Sequence, residues 1–180
     1  RLGATRLPRK PLRLLGGAPL VVRVLERVRS LGLADAVVVA TEAEEVADLV
    51  RASGGEAVLT SAEHPSGTDR VAEVAGRPEY ATYDVIVNVQ GDEPFMRGDA
   101  MAGAIAMVRE RGFSLGTAAG RRPPAIMDDP NCVKVVCGDD GRALYFSRAG
   151  IPFLRDASDA AARDALVFQH MGIYACRREA

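Results

Sequence analysis

Cysteine and histidine are scarce in this chain, and each scarcity excludes something. Three cysteines, Cys132, Cys137 and Cys176, with no C-x-x-C pair among them, and two histidines in 180 residues leave neither a disulfide framework nor a structural zinc set to read. A reducing cytoplasm is the compartment this fits. No apolar run approaches the ~20 residues that cross a bilayer, and nothing at the start resembles a secretory signal, so no membrane partner is expected. Neither sign of charge dominates. The net charge is −1 and the sequence pI is ≈ 6.2, whereas a dedicated nucleic-acid binder has a basic domain of pI above roughly 9. The phosphate-loop pattern G-x-x-x-x-G-K-[ST] is absent as well. The expectation is one soluble domain over residues 1–180, long enough to bury roughly 70% of its unfolded surface.

Against that background the most informative stretch is residues 84–94, DVIVNVQGDEP. The apolar residues Val85, Ile86, Val87 and Val89 read as a buried strand, which ends abruptly in Gln90, Gly91, Asp92, Glu93 and Pro94. In open α/β sheets, ligands collect outside the carboxyl ends of strands, so Asp92 and Glu93 lie where a metal or a polar substrate would sit. The plain alternative is an acidic turn punctuated by Pro94.

The opening segment, RLGATRLPRKPL, is the second signal. It sets Arg1, Arg6, Arg9 and Lys10 among Gly3, Thr5, Pro8 and Pro11, with Arg13 just beyond. The prolines remove backbone donors, and the cations repel one another unless an anion gathers them. A polyphosphate is a natural anion for such a loop, because arginine grips phosphate bidentately and lysine acts as a point charge. A solvated basic tail is the competing reading.

Between and beyond these signals strand and helix patterns alternate. Residues 19–31 carry apolar side chains at helical spacing, with Pro19 in the first turn and Gly32 as a stop. Residues 36–40 read as a buried strand, and Thr41 with Glu44 as a capping box for a helix reaching about residue 53 before Gly54 and Gly55. A strand at 56–59, a capped helix at 68–75, the strand at 85–89 and a helix over about 99–110 continue a doubly wound α/β pattern. Past residue 113 a strand, a loop at 121–130 and two strands around a turn at 138–142 predict antiparallel pairing. A helix-permissive stretch at 156–165 and a strand at 170–176 complete a mixed sheet. A βαβ nucleotide site needs a strand before its phosphate loop, yet the basic loop stands at residue 1. The expectation is a Rossmann-like domain without its first strand.

Taken together, RLGATRLPRKPL, HPSGTDR at 64–70, NVQGDEP at 88–94, LYFSRAGIP at 144–152 and QHMGIY at 169–174 resemble the 3-deoxy-manno-octulosonate cytidylyltransferase family, the CMP-KDO synthetases. The similarity runs along essentially the whole chain. It implies the nucleotide-diphospho-sugar transferase type of Rossmann-like fold, and the transfer of a cytidylyl group from CTP to KDO, an eight-carbon acidic sugar. The products would be CMP-KDO, for lipopolysaccharide biosynthesis, and pyrophosphate, with magnesium as cofactor and a homodimer as the usual assembly. By this resemblance Arg1, Thr5, Arg6 and Lys10 would hold CTP, and Asp92 would ligate magnesium, while Glu93 would orient the loop. Ser66, Gly67, Thr68 and Gln90 would contact the nucleotide. Ser66 and Asp69 also have the S-x-x-D spacing of a helix cap, and both readings can hold together. Arg70, Gln90, Arg148, His170 and Tyr174 would meet the sugar acid. Tyr145 and Phe146 read as core.

The chain departs from the family at two places in the basic loop, with Ala4 where serine is common and Arg9 where glycine is common. If residue 9 takes a positive φ, arginine there is strained by an amount on the order of 1–3 kcal/mol. The resemblance also implies a C-terminal region beyond Tyr174 with a second metal-binding aspartate, so the chain is expected to be truncated at both ends, to bind CTP weakly and to turn over little. Two rivals remain: a cytidylyltransferase for a related sugar acid, of the 8-amino-KDO or sialic acid type, and a non-catalytic CTP-binding fragment.

Overall fold

The computed structural model describes residues 7–153, 155–156 and 160–179. The chain forms two compact units, one of Arg1–Gly116 with Ile173–Ala180 and the other of Thr117–Gly172.

The first unit is built by helical periodicity against short strands. A 3-10 turn at Lys10–Leu12 leads into a tight hairpin of β1 (Leu14–Leu15) and β2 (Ala18–Pro19). The two residues between them, Gly16 and Gly17, both take positive φ, 55° and 81°, as a two-residue hairpin loop demands. Helix α1 (Leu20–Ser30) buries Val21, Val22, Val24, Leu25 and Val28. Strand β3 (Val38–Thr41) follows, then α2 (Glu44–Ala52) and β4 (Glu56–Leu59), which pairs with β3 in parallel. Alternation along β3 divides the core as period 2 requires. Val37 and Val39 pack with Val21, Leu25, Val46 and Val50 on one face, and Val38 and Ala40 with Val58, Val74 and Tyr80 on the other.

Helix α3 (Gly67–Ala75), β5 (Val85–Asn88) and α4 (Gly98–Arg109) complete the unit together with the last residues of β9 (Phe168–Arg177). β9 runs antiparallel to β5, with Asn88 opposite Tyr174. The fold is thus mixed α/β, as expected. Two readings need correction. Thr41 does not cap α2: Ala43 is the N-cap residue, and the Thr41 hydroxyl accepts the Ala43 N–H at 3.1 Å. Nor is β5 deeply buried, since all four of its residues are partly exposed. β5 and β3 each hydrogen-bond to one described neighbour, and both line a cavity of about 720 Å3.

The second unit is antiparallel. β6 (Leu115–Arg121) enters it and pairs with β9, and a 3-10 turn at Pro124–Asp128 breaks the expected loop. β7 (Lys134–Cys137) pairs with both β8 (Ala143–Ser147) and β9. A short helix, α5 (Ala160–Ala165), precedes β9. Tyr145 and Phe146 are not core residues. They are 62% and 40% exposed, on a strand that among the described residues pairs with β7 alone.

Candidate active site

The cavity of the first unit brings together residues distant in sequence. Pro11 is the second residue of the 3-10 turn, where an N–H would be spare, and Lys10, the first, lines the cavity. The Lys10 ammonium pairs with the Asp92 carboxylate across 82 residues of sequence. Asp92 stands in the turn after β5, where Glu93 N–H donates to the Gln90 carbonyl at 3.1 Å. Gln90 and Gly91 line the same cavity. Burial raises the Glu93 pKa, the neighbouring Asp92 charge raises it further, and Lys10 opposes both.

Ser66 and Gly67 form a third part of the wall, at the N-terminus of α3. Ser66 makes the full capping box. Its hydroxyl accepts the Asp69 N–H at 3.3 Å and donates to the Asp69 carboxylate at 2.5 Å, and that carboxylate accepts the Ser66 N–H at 3.1 Å. The Ser66 hydroxyl is therefore engaged in the cap, which holds the Asp69 pKa down. Gly67 is open, since a Cβ there would meet no protein atom within 4 Å. Thr68, in the first turn of α3, is exposed and does not line the cavity.

Arg70, one turn further along α3, also lines the cavity but is 7% exposed. Its guanidinium donates to the Thr60 hydroxyl at 2.5 Å and pairs with Glu42 at 2.9 Å. Thr41 ends β3 and Glu42 lies just beyond it, as Asp92 lies beyond β5, and the rule that located Asp92 would have found them. Asn88 was also missed. Its side-chain Nδ2 is buried in the cavity wall with no hydrogen-bond partner among the described residues, the kind of donor that awaits an acceptor.

Arg9 takes φ 57°, the left-handed region, and its guanidinium turns to Glu45, at 2.5 and 2.6 Å from the two carboxylate oxygens. It is not among the described residues that line the cavity. Arg1, Thr5 and Arg6 lie outside the described residues. Tyr174 sits opposite Asn88 on β9 in the first unit. Arg148 and His170 belong to the second unit. There the His170 ring meets the Thr117 hydroxyl at 2.9 Å and the edge of Phe146 at 5.0 Å, and burial lowers its pKa. Arg148 donates to the Pro130 carbonyl at 2.8 Å. Among the described residues no three His, Cys, Asp or Glu side chains converge on a metal position.

A cation and a carboxylate at the carboxyl edge of a strand, beside a helix N-terminus, define a nucleotide-handling α/β site. The chain belongs to the cytidylyltransferase family, whose model matches residues 1–180. It is 59% identical over its whole length to the 3-deoxy-manno-octulosonate cytidylyltransferase of Gemmatimonas aurantiaca, of which it covers 70%. It is also similar to the solved structure of a CMP:2-keto-3-deoxy-manno-octonic acid synthetase complexed with CTP. That likeness has a TM-score of 0.87 and 37% identity, and covers 99% of this chain and 71% of the other. A 4-diphosphocytidyl-2C-methyl-D-erythritol synthase from Anaerococcus prevotii shares the fold alone, at TM-score 0.57 and 14% identity, over 94% of this chain and 66% of that one.

Proposed function

We propose that this chain carries the cytidylyltransferase domain of a CMP-KDO synthetase, which joins CTP and KDO to give CMP-KDO and pyrophosphate. The observation that carries the reading is the Lys10–Asp92 pair at the rim of a cavity whose wall includes the α3 N-terminus. It gains weight from the 59% identical relative bearing that name. The anomeric hydroxyl oxygen of KDO attacks the α-phosphorus of CTP in line. The bond from that phosphorus to the bridging oxygen breaks, pyrophosphate departs, and the hydroxyl proton passes to solvent. No covalent intermediate on the protein is needed, so positioning and electrostatic stabilisation supply the acceleration.

In this reading Lys10, with Arg1, Thr5 and Arg6, gathers the triphosphate and neutralises charge migrating to the leaving group. The family resemblance assigns the nucleoside to Ser66, Gly67, Thr68 and Gln90; of these Ser66, Gly67 and Gln90 line the cavity, and the open Gly67 would admit close approach. Arg70, Gln90, Arg148, His170 and Tyr174 recognise the sugar acid. The Asp92 carboxylate on the cavity wall suits a hard divalent ion, which takes carboxylate and phosphate oxygens and keeps several waters. Asp92 would hold this magnesium, which when bound would offset charge on the phosphates. A homodimer is supported by the exposed Leu144 and Tyr145, at 64% and 62%, next to Phe146 on β8. The three free cysteines suit a reducing cytoplasm, where KDO is activated for lipopolysaccharide.

Pyrophosphate release from CTP, measured with and without KDO and with and without magnesium, tests the reading. Release that needs both is expected. Preference for 8-amino-KDO or a sialic acid would shift the substrate to the related sugar acid, and CTP binding without release would leave a nucleotide-binding module.

A further inference from the structure

Lys134 is the largest fully buried side chain among the described residues, at 0% exposure, in the middle of the second unit's sheet. It opens β7 and lies opposite Ser147 of β8 and Gln169 of β9. A buried ammonium without partners would be driven to its neutral form, and a methionine would fill the same space without that difficulty. Here the cation is satisfied. Its three N–H donors meet three backbone carbonyls, those of Asp129 at 2.9 Å, Cys132 at 2.8 Å and Arg148 at 2.5 Å.

Those carbonyls come from two segments that have no strand pairing with each other. Asp129 and Cys132 bracket a turn that the Asp129 carboxylate already tightens, by accepting the Asn131 N–H at 2.8 Å and its side-chain amide at 3.0 Å. Arg148 follows β8. Its side chain returns to the same turn and donates to the Pro130 carbonyl at 2.8 Å. The backbone of Arg148 is thus tied to the turn through Lys134, and its guanidinium is tied to the turn directly. An exposed arginine otherwise samples many rotamers, and anchoring both ends removes much of that freedom.

We propose that Lys134 is a positioning residue for sugar-acid recognition, a buried cation that fixes the direction of the Arg148 guanidinium through the 129–132 turn without touching substrate. This rests on the proposed role of Arg148 toward the sugar carboxylate. The parent, Lys134→Met, Lys134→Gln, Arg148→Ala and the Lys134→Met/Arg148→Ala pair are compared in two measurements. One is amide hydrogen exchange at residues 129–132 and 148–149 without substrate. The other is steady-state pyrophosphate release with CTP and KDO varied separately.

In Lys134→Met, exchange at Asn131 and Cys132 should rise about tenfold or more, as a local opening made easier. The KM for KDO should rise about tenfold while that for CTP stays within about twofold, with Lys134→Gln between Met and the parent. On the Arg148→Ala background, Lys134→Met should change the KDO KM by less than about twofold, because the two act through one contact. Unchanged exchange overturns the inference, as do equal rises in both KM values or fully additive effects. If neither Lys134 variant folds, the inference falls should Arg148→Ala leave the KDO KM unaltered. A parent that releases no pyrophosphate with CTP and KDO brings down the proposed function instead, and the exchange comparison still decides whether the cage holds the turn.

Discussion

Arg9 shows how a single residue balances two opposed local energies. At φ 57° an L side chain is strained, and glycine would relieve that by about 1 kcal/mol. The Glu45 pair acts the other way, and with both side chains about half exposed, at 56% and 55%, it contributes on the order of 0–1 kcal/mol. Arg9→Gly should therefore leave the melting temperature almost unchanged. Arg9→Ala keeps the strain and loses the pair, and should be less stable than Arg9→Gly by about 1 kcal/mol, or about 2–4 °C. Equal melting temperatures for Arg9→Ala and Arg9→Gly would contradict this. Asp92 is the opposite case, a residue whose proposed worth lies in chemistry. If its carboxylate meets a triphosphate-bound cation, Asp92→Asn should cut kcat at least about a hundredfold while cytidine monophosphate affinity moves by less than about threefold. Equal losses in titration calorimetry and turnover would place Asp92 against the base instead.

At the scale of elements, α3 is anchored from both sides of the cavity wall. Its N-terminus carries the Ser66–Asp69 box, and further along it the half-buried Glu73 accepts from the Ser61 N–H at 2.9 Å and from Arg77 at 2.9 Å and meets His64 at 2.6 Å. The His64 contact first, then Ser61 and Arg77, bring the Glu73 pKa down from 4.5 to about 2. A carboxylate with a depressed pKa adds stability that is complete above its unfolded value and is lost as pH falls toward its folded one. Glu73→Gln should therefore lower the melting temperature at neutral pH, by a gap that narrows from pH 4.5 down to about 2. A gap constant over that range would show that the ion pairs do not carry it. The Ser66 cap was legible because S-x-x-D is a local pattern. The Thr41–Glu44 pattern looked equally good and failed, since Thr41 completes β3 and the helix starts two residues later. The β1–β2 hairpin had a signal too, the Gly16–Gly17 pair between short apolar stretches.

Across the whole molecule, what sequence reveals follows the range of the interaction. Val21, Val24, Leu25 and Val28 announce α1 by spacing alone, and residues 90–93 announce a site by standing at a strand end. Nothing local joins Lys10 to Asp92, and only the family resemblance anticipated their shared site. Lys134 was invisible for the same reason: in CVKVVC it reads as the polar member of an alternating strand, and its cage is assembled from a turn and from Arg148. Burial of β5 was overestimated because an apolar run reports what a strand could bury, while its neighbours decide how much it does. The division of the chain into two units sets a last expectation. The described residues proposed to meet the nucleotide and its metal, Lys10, Ser66, Gly67, Thr68, Gln90 and Asp92, all belong to the first unit, whereas β7 and β8 belong wholly to the second. CTP with magnesium at about a hundred times its Kd should slow exchange through the first unit by up to about a hundredfold, most at residues 10–12, 66–70 and 90–93. Amides of β7 and β8 should keep their rates until the sugar acid is added. Protection by CTP alone in β7 and β8, with none at 66–70, would move the nucleotide away from the cavity and with it the assignment of Lys10 and Asp92.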